Sequence, residues 1–327
     1  MSRIRFAVSA ILIITISALV GGQDPKQQEG KKFDLKLEKD KKFYQKMSTE
    51  VSQVIKVMGQ DLTQKQDSTF FFKWTPVKQE GEKWELTDEI EGLIMSIDIS
   101  GNKIGYNSTE ADGGATASNP GLMDFFKKLI GAKFTITMDK NSKVEKVDGV
   151  KEFRDNIAGG ASNPQMEALL KSIMTDDAVK QMFDPTFRLT PDSPQKPGGK
   201  WQKTDTVNLG PIGSYVVTYN FTYVGPEKDF DKIEVETTLV YSAPKADPTT
   251  GGLLFRIKDG KLSSQNPSKG VILYNSKLQR IESADITIKM TGELTVTIGM
   301  ADTKVELLQT QITKITTSDT SLLPLKK

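Results

Sequence analysis

Apolar and polar side chains alternate, residue by residue, through run after run of this chain. In ADITIKMTGELTVTI, Ile286, Ile288 and Met290 share one side, as do Leu294, Val296 and Ile298. A period of two is the pattern of a strand with one buried face. The same alternation runs through KFYQKMSTEVSQVIKVMGQDLTQKQDSTFFFKWTPV and breaks at MGQD, where Gly59 suits a hairpin turn. STFFFKWTPV reads as a strand rich in β-formers that ends at Pro76, and Gly81, Gly92 and Gly101 punctuate two or three more short strands. Connections this short admit antiparallel neighbours but not parallel crossovers. Nearer the start, KFDLKLEKD puts Phe33, Leu35 and Leu37 on one side and charges on the other.

A repeated phrase interrupts the strands: GGATASNPG at residues 113–121 and GGASNPQ at 159–165. After the first, Leu122, Phe125, Phe126 and Leu129 are spaced as a helix face, with Gly131 as terminator. After the second, Met166, Leu169, Leu170 and Ile173 repeat the spacing. Asn119 and Asn163 stand where N-caps belong, and Pro120 and Pro164 suit the first helical position. Neither copy ends in Gly-Lys-Ser/Thr or fits G-x-G-x-x-G, so helix capping is favoured over a phosphate cradle. Between the copies the sequence predicts a hairpin turning at Lys140-Asn141 and a short helix from about Val150. TDDAVKQMF predicts one more helix, capped by Thr175 or Asp176.

These readings give an α+β fold, mainly antiparallel sheets in two lobes with a helical insert between them. The expected divisions are a signal peptide at 1–22, an N-terminal β lobe at 23–118 and a helical insert with a β-hairpin at 119–184. A Pro/Gly-rich linker at 185–200, a C-terminal β lobe at 201–318 and a loose tail at 319–327 follow.

Arg3 and Arg5 precede the apolar stretch Phe6–Val20, and the small residues Gly21 and Gly22 follow it. Those 15 residues fall short of the roughly 20 that a spanning helix needs, so export with cleavage after Gly22 is expected, to the periplasm or outside the cell. Cleavage removes two arginines and no acid, leaving 42 basic and 42 acidic residues. A nucleic-acid partner is therefore not expected, nor a stable membrane span after cleavage.

The chain has no cysteine and no histidine. Disulfides, zinc hydrolysis, thiol chemistry and a Ser–His–carboxylate triad are closed to it. Ser193-Pro-Gln-Lys196 matches S-x-x-K, but Pro194 and Pro197 argue against the helix that motif needs. DKNSKVEKVDG places Lys143 where a calcium loop wants oxygen. TDEIEG at residues 87–92 reads as a strand rim, and the sequons at Asn107 and Asn220 read as idle. No cofactor, metal or catalytic residue is expected. The aromatics Phe70, Phe71, Phe72, Trp74, Trp84 and Trp201 read first as core. Their alternative role, carried by Phe70, Phe72, Trp74, Trp84 and Trp201, is to line a cavity for a lipid or another apolar ligand.

Short motifs add a resemblance. Lys42-Phe43-Tyr44 at a strand, a Met58-Gly59-Gln60 hairpin, Tyr106-Asn107-Ser108 at a strand end, and a proline-rich approach from Pro191 to Trp201 with Gly-x-x-Trp are all present. Together they resemble a family of exported bacterial proteins classed as a domain of unknown function. The resemblance implies an exported β-rich architecture and brings no activity with it. The expected function is a non-enzymatic envelope or secreted binding or structural protein holding an apolar ligand against a curved sheet. The alternatives are a histidine-independent carboxylate hydrolase of glycans and a surface-interaction protein without a small ligand.

Overall fold

The structure is a computed structural model. It describes residues 30–113, 120–158, 175–176, 179–180, 183, 189–208, 210–245, 255–265, 268–298 and 301–325. The residues read as signal peptide, the caps Asn119 and Asn163, and the helix expected from Pro164 lie outside the described residues.

Hairpin chemistry organises the first strands, β1 (Phe43–Val57), β2 (Gln60–Glu80), β3 (Lys83–Ile99) and β4 (Asn102–Asn107). Met58-Gly59 and Ser100-Gly101 each form a two-residue loop with both φ angles positive. That is the turn whose twist matches two antiparallel strands, and glycine adopts it without steric cost. A helix α1 (Pro120–Leu129), strands β5 (Lys133–Met138) and β6 (Val144–Asp148), and a helix α2 (Val150–Ala158) follow. The remaining strands are β7 (Lys200–Asn208), β8 (Ser214–Glu227), β9 (Phe230–Ser242), β10 (Phe255–Ser264), β11 (Ser268–Asn275), β12 (Arg280–Ile298) and β13 (Ala301–Ser318).

The thirteen strands among the described residues belong to one antiparallel sheet, ordered β6-β5-β3-β2-β1-β13-β12-β10-β9-β8-β7, with β4 on β3, and β11 between β12 and β9. This overturns the expected α+β fold of two lobes with a helical insert. The cause is the ladder between β1 and β13, unbroken from Tyr44↔Ser318 to Val57↔Val305, which joins the early and late strands edge to edge. Nor do the helices separate two lobes. Met123, Phe126 and Leu129 of α1 and Val150, Phe153 and Ile157 of α2 pack on the same sheet, against Trp74, Leu86, Leu93 and Ile136.

Register sorts the side chains. Phe43, Gln45 and Met47 of β1 lie beside Trp74, Phe72 and Phe70 of β2, while Gln45 and Met47 lie beside Thr317 and Ile315 of β13. This face carries three apolar clusters. The first sits under the helices. The second gathers Phe221, Tyr223, Ile233, Val235, Ile272 and Tyr274 with Phe33. The third lies toward the other end of the strands, around Ile257, Leu262, Val296, Val305 and Leu307. On the opposite face, a Cβ on Gly92 would come within 2.2 Å of Leu323, and Ser321 donates to Glu91, so residues 321–323 rest on β3.

Candidate functional site

Residues 30–38 run without a ladder and reach β1 through a turn at Lys39-Asp40: one isolated bridge, Lys31 to Gln195, is their only strand-like pairing among the described residues. The alternation of Phe33, Leu35 and Leu37 survives all the same. Phe33 is buried in the second cluster, while Leu35 and Leu37 pack against the first. The segment is a strap between the two clusters, with its apolar side against the sheet.

Its anchor is polar as well as apolar. Lys31 Nζ lies 2.7 Å from both carboxylate oxygens of Asp231 on β9. Tyr223 Oη donates to Asp231 at 2.5 Å, and Ser276 Oγ donates to the other oxygen. Burial by itself would raise the Asp231 carboxyl, but donation from Lys31, Ser276 and Tyr223 outweighs it and holds the group below the usual carboxylate range. Phe33 stacks on Trp201 at 5.5 Å and meets Tyr223 and Tyr274 edge-on at 5.1 and 5.2 Å. Tyr274 Oη and Thr190 Oγ1 donate to the Asp34 and Phe33 carbonyls.

Beyond this anchor the strap leaves hollows along its length. A groove of about 230 Å³ is walled by Leu35, Leu37, Phe43, Pro76 and Leu278. Lys36, Lys41, Lys42, Lys277 and Arg280 rim it, against Glu38 and Asp319. Lys36 and Lys41 pair with Glu38 at 3.1 and 3.4 Å, and Arg280 with Asp319 at 2.5 Å. Lys42 has no ionic partner among the described residues. A narrow extension of about 20 Å³ leads toward Phe33 and Tyr274, past Gln45 and Thr317. Leu35 and Leu37 also line a second hollow of about 250 Å³, with Trp84 and Met138.

The five aromatics expected to line a ligand site separate. Phe70, Phe72 and Trp74 follow one another along β2, with rings 5.8 and 6.3 Å apart, and Trp74 is buried against Phe43. Trp84 is half-buried at the second hollow. Trp201 belongs to the second cluster, stacked between Phe33 and Phe221, with its Nε1 donating to the Leu189 carbonyl at 2.9 Å. Lys31, Tyr223, Asp231 and Ser276 were not expected. The alternation at 33, 35 and 37 was their only herald.

One acid departs from its reading as rim. Leu86, Asp88 and Ile90 share the core face of β3, and Asp88 is fully buried between Trp74 on β2 and Phe134 on β5. Phe183 touches both rings, at 6.0 and 5.6 Å. No side chain among the described residues donates to either carboxyl oxygen of Asp88, and only the Glu89 backbone N–H acts to favour its charge. Burial, reinforced by the charge of Glu89, pushes this carboxyl well above its ordinary range.

An open antiparallel sheet with a strapped, amphipathic groove defines a β-rich class of protein. Within that class, residues 81–266 match the model of a family of unknown function, DUF6263, and the chain belongs to that family. No curated protein sequence matches it. Among solved structures, a lipovitellin described under lipid–protein interactions is similar at 10% identity and a TM-score of 0.42, covering 86% of this chain. The match spans 25% of the lipovitellin chain, so the present chain corresponds to about a quarter of that protein. The outer-membrane protein OccK5 (OpdH) of Pseudomonas aeruginosa aligns over 86% of this chain and 99% of its own, at 6% identity and a TM-score of 0.23. Likenesses this distant carry no functional argument. No helix among the described residues is long and apolar enough to cross a membrane.

Proposed function

We propose that this is an exported, non-enzymatic binding protein that holds an amphiphile with an anionic head and an apolar chain. The carrying observation is the groove beside the strap: an apolar wall of Leu35, Leu37, Phe43 and Leu278 under a rim with more lysine and arginine than acid. Its volume is below the roughly 300–1,000 Å³ of pockets that enclose a whole drug-sized ligand, which suits one chain end with its head left at the rim. Burial of apolar surface supplies affinity, and the cations supply preference for a negative head.

Competition with a fluorescent fatty acid tests the reading. A dodecyl chain bearing a carboxylate displaces the probe, the neutral alcohol of the same length does so more weakly, and Lys42→Glu narrows the difference. Equal displacement by both ligands, or none by either, removes the proposal. Export is tested separately by the intact mass of the secreted protein, which should lack residues 1–22.

A further inference from the structure

Charge is sorted by face in the middle of the sheet. β2, β1 and β13 are neighbours, and both ladders along β1 keep an unshifted register, so side chains alternate strictly between the two faces. Every charged residue between Gln45 and Val57, between Gln60 and Phe72, and between Thr303 and Thr317 stands on the face opposite the helices and strap. The inner face carries amides and hydroxyls instead. Gln64, Gln53 and Gln309 form one row across the three strands; Gln66, Val51 and Gln311 form the next, and Ser68, Thr49 and Thr313 the third. All five glutamines are half-exposed. Gln311 Nε2 donates to Thr313 Oγ1 at 3.3 Å within this band. Positions in a row lie about 4.8 Å apart and rows about 7 Å apart, so the glutamines cover about 10 Å by about 7 Å. Apolar side chains adjoin them. Leu62, Ile55 and Leu307 make the row beyond the band, and Ile99 on β3 extends the row of Gln64. Leu62 and Ile99 are 48% and 43% exposed.

We infer that this band is a second binding site, for an amphiphile whose head is uncharged and hydroxyl-bearing, either a glycerol or a neutral sugar on an aliphatic chain. A carboxamide both donates and accepts, and so does a hydroxyl. Glutamine and threonine therefore match a head built of hydroxyls in either direction of bonding. A charged head meets no countercharge on this face and gives up part of its hydration to enter it. The chain lies over Leu62, Ile55 and Ile99 and removes their exposed apolar surface from water. The groove beside the strap is built the other way, with walls of Leu35, Leu37, Phe43 and Leu278 under a rim of lysines. The two sites share no residue, and they differ in the head charge they select.

Equilibrium dialysis of the full chain without its first 22 residues tests the inference. The probes are radiolabelled dodecyl glucoside and monododecanoyl glycerol, each kept below its micelle concentration. At least one of them binds, and which one does identifies the head. Gln53→Leu combined with Gln309→Leu weakens that binding about tenfold, through the loss of hydrogen bonds to the head, and leaves the melting temperature unchanged or higher. Ile99→Lys, at the exposed margin, weakens it about fivefold through the chain and guards against a folding defect in the first variant. Ser52→Ala, on the outer face of β1, leaves it unchanged. Saturating dodecanoate does not displace the neutral probe, because its head belongs to the groove. Binding of neither probe overturns the inference, as does binding that both inner-face variants leave intact. Displacement by dodecanoate, one for one, also overturns it, since both ligands then sit beside the strap and the groove reading stands alone. Dodecanoate that fails to bind while a neutral probe does removes the groove reading and leaves this one.

Discussion

Two buried aspartates on the same face of the same sheet meet opposite fates. Asp231 is ringed by Lys31, Tyr223 and Ser276, and its charge is favoured. Asp88 is ringed by Trp74, Phe134 and Phe183, and its charge is disfavoured. The difference teaches that burial alone does not decide whether a carboxylate supports a fold. The donors around it do. The second cluster is closed by a polar latch that reaches the strap, whereas the first is closed by apolar packing over an acid whose charge is disfavoured.

The harshest way to break the comparison is to leave the latch nothing to hold. Phe33→Ala opens a cavity among Trp201, Tyr223 and Tyr274 and should cost about 3–5 kcal/mol in denaturant melts. A loss below about 1 kcal/mol would show that the strap adds little to the second cluster. Next, Asp231→Ala strands Tyr223 and Ser276 and should cost about 2–4 kcal/mol at pH 7. Because the folded pKa of Asp231 lies below its unfolded value of about 3.9, its contribution is present above that value and is lost as pH falls through the folded one. The deficit of the variant should therefore shrink in acid, and a deficit constant between pH 7 and pH 3 refutes the charge argument. Doubled with Phe33→Ala, the loss should be less than additive, since both changes release one segment.

Asp88→Val should act in the other direction and stabilise by about 1–3 kcal/mol at pH 7. Here the folded pKa lies above the unfolded one, so stability is fullest below about pH 3.9 and declines as pH rises toward the raised value. Melting at pH 4 and pH 7 checks this: the gain should be smaller at pH 4, and a variant less stable than wild type at both pH values contradicts it. The mildest change is Trp201→Phe, which keeps a ring on Phe33 and loses the bond to the Leu189 carbonyl. It should cost about 1–2 kcal/mol.

The parts of the fold that were legible are those written in local chemistry. Gly59 and Gly101 announce hairpins because their turns demand positive φ, and Phe33, Leu35 and Leu37 announce a buried side. Alternation says that a strand has an inner face, however, and not which strand lies beside it. Nothing local in KMSTEVSQV names QTQITKITTS as its neighbour, and so two lobes were expected where one sheet stands. The prolines and glycines of residues 185–200 read as linker because turn chemistry is all they show. Yet Thr190 and Gln195 bond to the strap. The latch was hidden for a different reason: Asp231 is one acid among 42, and its three donors arrive from three other segments. Asp88 was legible in principle. Leu86-x-Asp-x-Ile90 already puts it on the inner side, and that spacing outweighs its charge.

One pairing sets the order in which this molecule can be assembled. β1 and β13 are side by side in the middle of the sheet, and Gln45 on one bonds to Thr317 on the other across 272 residues of chain. The sheet therefore cannot grow from one margin to the other as the polypeptide emerges. Hairpins β1–β2 and β12–β13 can each zip up quickly, in about 1–10 μs for a simple hairpin. The seam between them closes only after both halves exist, at the large entropic cost of so distant a contact. Until then each half presents a long bare edge to any strand that comes near, its own twin in a second chain included. For this chain, folding without aggregation depends on how long that seam stays open.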